Sequence, residues 1–108
     1  MAKELPACPM EAALDLFGEK WKLMILKGLM GGTRRSGELL RDVPGASRKM
    51  LTNNLREMEE DGLLTREIFA EVPARVEYTL TELGYSVRPV LEAVEAWGNQ
   101  FCPGGQKK

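Results

Sequence analysis

Histidine is absent from this chain, and cysteine occurs only twice, as Cys8 and Cys102. Without histidine there is no Ser-His-Asp or Cys-His nucleophile system and no histidine-bearing metal site. Two thiols near opposite ends cannot build a disulfide framework, and they lack the C-x-x-C spacing of a zinc or redox motif. No apolar run approaches the roughly 18–20 residues of a membrane span. The densest, Leu23-Met24-Ile25-Leu26, is bounded by Lys22 and Lys27. The opening Met1-Ala2-Lys3-Glu4-Leu5-Pro6 holds no apolar stretch of the kind a secretion signal carries. A reducing cytoplasm is the expected location, with no membrane partner. Carboxylate-only chemistry would need a pocket for which a small helical domain has little room, so no enzyme activity, metal or cofactor is expected.

What is present fits one small globular domain. The chain has 108 residues, 44% hydrophobic and 29% charged, and a single core normally serves about 100–200 residues. Residues 1–108 are therefore read as one domain, with a core over 8–102 and loose ends at 1–7 and 103–108. A chain this size buries only about two-thirds of its unfolded surface, so its core is thin and a second copy would add to it.

The net charge of −1 looks poor for a nucleic-acid binder, but its distribution is uneven. From Arg34 to Arg56 six cations (Arg34, Arg35, Arg41, Arg48, Lys49, Arg56) face two anions (Glu38, Asp42), a net of +4. The remainder must carry −5. A basic middle in an acidic chain is either a solvated face or an electrostatic footprint for phosphate.

Periodicity places that middle on helices. Pro9 suits a first helical position, and Met10, Ala13, Leu14 and Phe17 make one apolar stripe ending at Gly18. A second helix over 20–30 buries Trp21, Met24, Ile25 and Leu29, and Gly31-Gly32 ends it. Ser36 is expected to cap a short helix carrying Leu39 and Leu40, which stops before Val43-Pro44-Gly45-Ala46. Ser47 then caps a longer helix to Asp61, closed by Gly62. Helix, tight turn, helix is the helix-turn-helix arrangement. After Gly62, residues 63–69 and 75–80 read as two strands joined by a loop at 70–74. A two-stranded wing directly after a helix-turn-helix predicts a winged helix, mainly α with a small β element (α+β). Thr81 caps a terminal helix with Leu83, Val87, Val90, Leu91, Val94, Trp97 and Phe101 as apolar positions, kinked at Pro89 and stopped by Pro103-Gly104-Gly105.

The helix 47–61 divides cleanly at 100° per residue. Leu51, Leu55 and Met58 face the core, and Lys49, Thr52, Asn53, Arg56 and Glu60 lie opposite. Its first half carries Arg48, Lys49, Thr52, Asn53, Asn54 and Arg56, whereas Glu57, Glu59, Glu60 and Asp61 make the far end acidic. Phosphate repels that end, so only one docking polarity is comfortable. Lysine can donate to guanine and asparagine can pair bidentately with adenine in the major groove. Thr52, Arg56 and the caps Ser36 and Ser47 suit phosphate oxygens, and Arg75 sits on the wing. Thr-Asn-Asn is also a poor choice for a merely solvated helix, where Glu, Lys and Gln have better propensity.

The motifs Cys8-Pro9-Met10-Glu11, Gly18-Glu19-Lys20-Trp21-Lys22-Leu23, Glu59-Glu60-Asp61-Gly62-Leu63 and Val72-Pro73-Ala74-Arg75-Val76-Glu77-Tyr78-Thr79-Leu80-Thr81 together resemble the HxlR-type regulators. These are bacterial and archaeal winged-helix proteins related to the MarR group. The resemblance runs from Cys8 to about Gly98. It implies a homodimeric DNA-binding transcription factor without enzymatic activity, with residues 47–61 as recognition helix and 69–75 as wing. It also implies a dimer interface of the first and last helices, which involves Met10, Leu14, Phe17, Val90, Val94, Trp97 and Phe101. Independently, the terminal helix spreads apolar residues over more surface than one small core can cover. A two-fold dimer would present its recognition helices about one turn of DNA apart, so double-stranded DNA bearing an inverted repeat is the expected partner.

Cys8 directly precedes Pro9 and so sits at the start of the first helix, where the helix dipole favours a thiolate. Several HxlR-type regulators sense oxidants or electrophiles through a cysteine at this position. Cys102 ends the last helix, so the two thiols would meet across a dimer if their Cα atoms come within about 7 Å. Two other readings stay open: a winged helix that docks another protein, and a regulator with a small-molecule cavity lined by Met24, Met30, Met50 and Met58 and no thiol switch.

Overall fold

The computed structural model describes residues 4–102. The ends at 1–3 and 103–108, with the stop expected at Pro103-Gly104-Gly105, lie outside the described residues, and 4–7 carry neither helix nor strand. The chain runs α1 (Pro9–Phe17), α2 (Lys20–Leu29), β1 (Arg34–Arg35), α3 (Ser36–Asp42), α4 (Arg48–Glu60), β2 (Leu64–Phe69), β3 (Arg75–Leu80), α5 (Glu82–Tyr85) and α6 (Arg88–Asn99). It is a winged helix, mainly α, as the periodicity predicts.

The core is one apolar layer. Ile25, Leu26 and Leu29 of α2 and Leu39 of α3 meet Leu51, Leu55 and Met58 of α4. Leu63, Leu64, Tyr78 and Leu80 close it from the sheet side, and Val87 from the end. Trp21 and Met24, expected inside, are half-buried at its edge. The turn between α3 and α4 needs Gly45, whose φ of +95° lies in the region where a side chain would clash with backbone.

Two features depart from the expected pattern. The wing is the larger part of a three-stranded antiparallel sheet in the order β1-β3-β2, because Arg34 and Arg35 pair with Tyr78 and Glu77. A two-residue strand has no readable alternation, which is why it escaped the period-two test. The expected terminal helix is also broken rather than kinked. Pro89 lacks an N–H and its ring crowds the turn before it, so α5 ends at Tyr85 and α6 restarts at Arg88 with Pro89 in its first turn. Thr81 does cap α5: its Oγ1 accepts from the Gly84 N–H at 3.2 Å and donates to the Gly62 carbonyl at 2.6 Å. Gly84 is held so close to the Leu63 carbonyl that a Cβ there would collide with it.

The first and last helices meet this layer at its edge, through Phe17 and Leu91. α6 buries none of its residues and α1 buries only Leu16. Met10 is 68% exposed, Leu14 57%, Trp97 66% and Phe101 62%. The radius of gyration, 14.7 Å, exceeds the roughly 13 Å of a compact domain of this length. Both arms carry apolar surface that the described residues leave exposed.

Candidate nucleic-acid interface

The helix-turn-helix presents α4 from a fixed base. Ser47 is its N-cap, and the Ser47 Oγ accepts from the Met50 N–H at 3.1 Å. Leu51, Leu55 and Met58 are buried, whereas Arg48, Lys49, Thr52, Asn53 and Arg56 are exposed on one side. The division into core face and outward face is as expected.

Three sequence-expected positions are placed differently. Ser36 is the first residue of α3 and not its cap, which is Arg35. The Arg35 backbone N–H donates to Glu38 Oε1 at 2.8 Å, and this bond holds the Glu38 carboxyl below the usual glutamate value. Asn54 is half-buried and turns back along its own helix, its Nδ2 donating to the Met50 carbonyl at 2.7 Å. That amide is engaged before any base arrives. Arg75 is half-buried, with Nη1 3.1 Å from Glu71, Nε 3.2 Å from Glu77 and its guanidinium 4.0 Å above the Phe69 ring. The wing arginine is therefore locked by two carboxylates, which sequence spacing alone did not reveal.

The basic middle is thinned in the same way. Arg34 makes a two-point bond with Asp42, at 2.9 and 3.0 Å, that ties β1 to the end of α3. Arg35 and Arg41 remain exposed, and with Arg75 they border a cleft of about 460 Å³ between α3 and the wing loop. Arg66, which the periodicity did not single out, leaves β2 beside α4 and pairs with Glu59 at 3.4 Å. Thr52, Arg56 and Arg66 share one shallow depression there. Its signal was available: Arg66 shares the face of β2 that carries buried Leu64 and sits opposite buried Tyr78, so the strand alternation turns it toward α4.

Lys22 is the other residue the sequence reading missed. Its side chain lies on the inward stripe of α2 with Ile25, Leu26 and Leu29, and the residue is only 4% exposed. Its Nζ is 2.8 Å from Glu57 on α4 and 3.2 Å from Glu19 at the N-cap of α2. Burial alone would lower its pKa, but the carboxylates of Glu57 and Glu19 more than offset this, so the value lies above that of an ordinary lysine. Because folding raises this pKa, the contribution is intact at neutral pH and is lost as pH rises through the folded value.

Known proteins share this architecture. The family model for HxlR-like helix-turn-helix proteins matches residues 16–106. The chain belongs to the HxlR-like helix-turn-helix family. A transcriptional regulator of the HTH type from Methanothermobacter thermautotrophicus is 46% identical over 94 residues, spanning 87% of this chain and 72% of that protein. The HTH-type transcriptional regulator YodB of Bacillus subtilis is 39% identical over 99 residues, 91% of this chain and 88% of YodB. Its reduced form matches with a TM-score of 0.74 at 38% identity over 92% of this chain and 98% of that one. A diamide-treated form matches at 0.70 and 38%, over 88% and 95%. The redox regulator HypR in its oxidised form matches at 0.80 with 40% identity, over 86% of this chain and 96% of that one.

This HxlR-like chain is thus a helix-turn-helix transcriptional regulator, and its family and named relatives are regulators, not enzymes. Among the described residues no helix is long and apolar enough to cross a membrane, and no cluster of acidic or cysteine side chains could hold a metal ion. The contrast between the two asparagines gives a direct test on duplex DNA. Asn53→Ala should cost about 1–3 kcal/mol of discrimination at one base pair. Asn54→Ala, whose amide serves its own helix, should leave that discrimination intact; equal losses would contradict the placement.

Proposed function

We propose that this regulator is a homodimer that reads an inverted-repeat operator with α4, and that its thiols tune the reading. The observation that carries the dimer is the uncovered apolar surface of α1 and α6. Met10 and Leu14 on one arm, and Val90, Val94, Trp97 and Phe101 on or just past the other, are all exposed. Phe17 differs from these, since it is half-buried against the core. Trp97 and Phe101 stack with ring centroids 4.5 Å apart, a ready-made aromatic anchor. A partner's equivalent arms are the natural cover, because a two-fold interface uses the same patch twice.

On the DNA side, Lys49 and Asn53 are the proposed base-facing pair. Arg48, Thr52, Arg56 and Ser47 are proposed phosphate contacts, with Ser36 beside the cleft at the wing. Arg75 enters this scheme as a residue that DNA must draw away from Glu71, and Asn54 as a helix-stiffening residue. Light scattering should give the mass of a dimer at micromolar concentration, and Trp97→Asp should give a monomer with much weaker binding to duplex DNA. A monomeric parent protein would overturn the assignment.

The thiol reading rests on position and on the relatives HypR and YodB, solved in forms that differ in oxidation. Cys8 is exposed at the N-cap of α1, and Cys102 is exposed just after α6, so each thiol rides on one arm. Oxidation by diamide would join Cys8 to the partner subunit's Cys102, two thiols giving up two protons and two electrons to the diazene as the S–S bond forms. Diamide should change the DNA affinity of the parent protein and leave Cys8→Ser unchanged. The same response in both would remove Cys8 from the mechanism. The groove between α2 and α6, of about 360 Å³ and bordered by Met24 and Met30, leaves room for the small-molecule alternative. Met58 is in the core and Met50 is exposed on α4, so neither belongs to that groove.

A further inference from the structure

The inward stripe of α2 reads Lys22, Ile25, Leu26, Leu29. Three of these are ordinary core residues; the fourth is a charge. A well-packed apolar side chain of similar volume commonly serves stability as well as a buried ion does. The lysine therefore needs an explanation other than packing energy, and its partners supply one. Apolar contact is non-directional, so Leu51, Leu55 and Met58 decide which face of α4 turns inward but set its rotation less sharply than a directional bond does. A charge-assisted bond of 2.8 Å from Lys22 to Glu57 is directional.

Glu57 lies one turn after Asn53 and next to Arg56 on the same helix. Fixing its azimuth fixes theirs. A rotation of about 20° sweeps a side chain about 6 Å from the axis through about 2 Å, enough to make or break a hydrogen bond. On the opposite flank of α4, Glu59 is held by Arg66 of β2, a pair with no buried member, and such pairs are weak. The Lys22–Glu57 pair differs in its lysine end, 5% exposed against 57% for the Glu57 side chain. The second carboxylate on Lys22 belongs to Glu19, in the elbow that joins α1 to α2. One buried ammonium thus touches both the elbow of an arm and the recognition helix.

We propose that Lys22 is a positioning residue for DNA recognition, holding α4 in a fixed rotation relative to the α1–α2 elbow through Glu57 and Glu19. The inference rests on α4 being the recognition helix of a dimer. If it holds, the geometry between the two half-site readers depends on this cluster, and breaking it loosens the spacing that the dimer demands.

The test is a double-mutant cycle of Lys22→Met, Glu57→Gln and the two together. Each is measured by thermal unfolding and by affinity for a duplex enriched from a random pool. Affinity is also measured for that duplex with its half-sites moved one base pair apart. Glu57→Gln should fold, bind the enriched duplex about tenfold more weakly, and discriminate less between the two spacings. The double variant should be no worse than the weaker single one. Electrostatics alone predicts the opposite sign, because removing an anion near DNA strengthens binding. Unchanged or tighter binding by Glu57→Gln, or undiminished spacing discrimination in every folded variant, would overturn the proposal. Should the parent protein enrich no duplex at all, the recognition-helix reading itself fails, and this inference falls with it for a different reason.

Discussion

The packing of α2 against α4 is the contact on which the rest of the molecule depends. Ile25, Leu26 and Leu29 form one side of a single apolar layer, and Leu51, Leu55 and Met58 form the other. It is thin, since a chain of 108 residues buries only about two-thirds of its unfolded surface. Removing a methyl or two from this layer would cost about 1–3 kcal/mol, a large share of what a small domain has. The outward face of α4 is presented to solvent only because its inward face is held. Every polar device at the interface is built on that layer: the Ser47 cap, the Lys22–Glu57 bond and the flanking Arg66.

The molecule separates its tasks by charge and by hydropathy. A net charge of −1 conceals a helix, α4, whose first half is cationic and whose second half is acidic, so approach to any polyanion would be polarised along the helix axis. The carboxylates are not idle in this scheme. Asp42, Glu57, Glu71 and Glu77 each engage a cation that a charge count would have assigned to DNA or solvent. The apolar surplus is exported to α1 and α6, where Met10, Leu14, Trp97 and Phe101 lie exposed.

Much of this was legible in the residues. Long periodic elements announced themselves, because α4 repeats its apolar positions at helical spacing between a serine cap and a closing glycine. The elements that escaped are those governed by contacts between distant segments. The strand Arg34–Arg35 exists only because β3 offers it an edge. Lys22 looked like a flank of an apolar run until Glu57, thirty-five residues on, came to meet it. Asn54 and Arg75 had the right chemistry for DNA, yet the Met50 carbonyl and two glutamates had already claimed them. Pro89 predicts a kink in one terminal helix, whereas the chain divides there into α5, ending at Tyr85, and α6, starting at Arg88.

In the proposed assembly, two copies of this chain present two α4 helices to DNA in a fixed relation. Selection of bound duplexes from a randomised pool, under reductant and at moderate salt, tests it most directly. An inverted repeat whose half-sites lie about 10 base pairs apart, centre to centre, should be enriched. Enrichment of a single unrepeated site, or of no sequence at all, would contradict it.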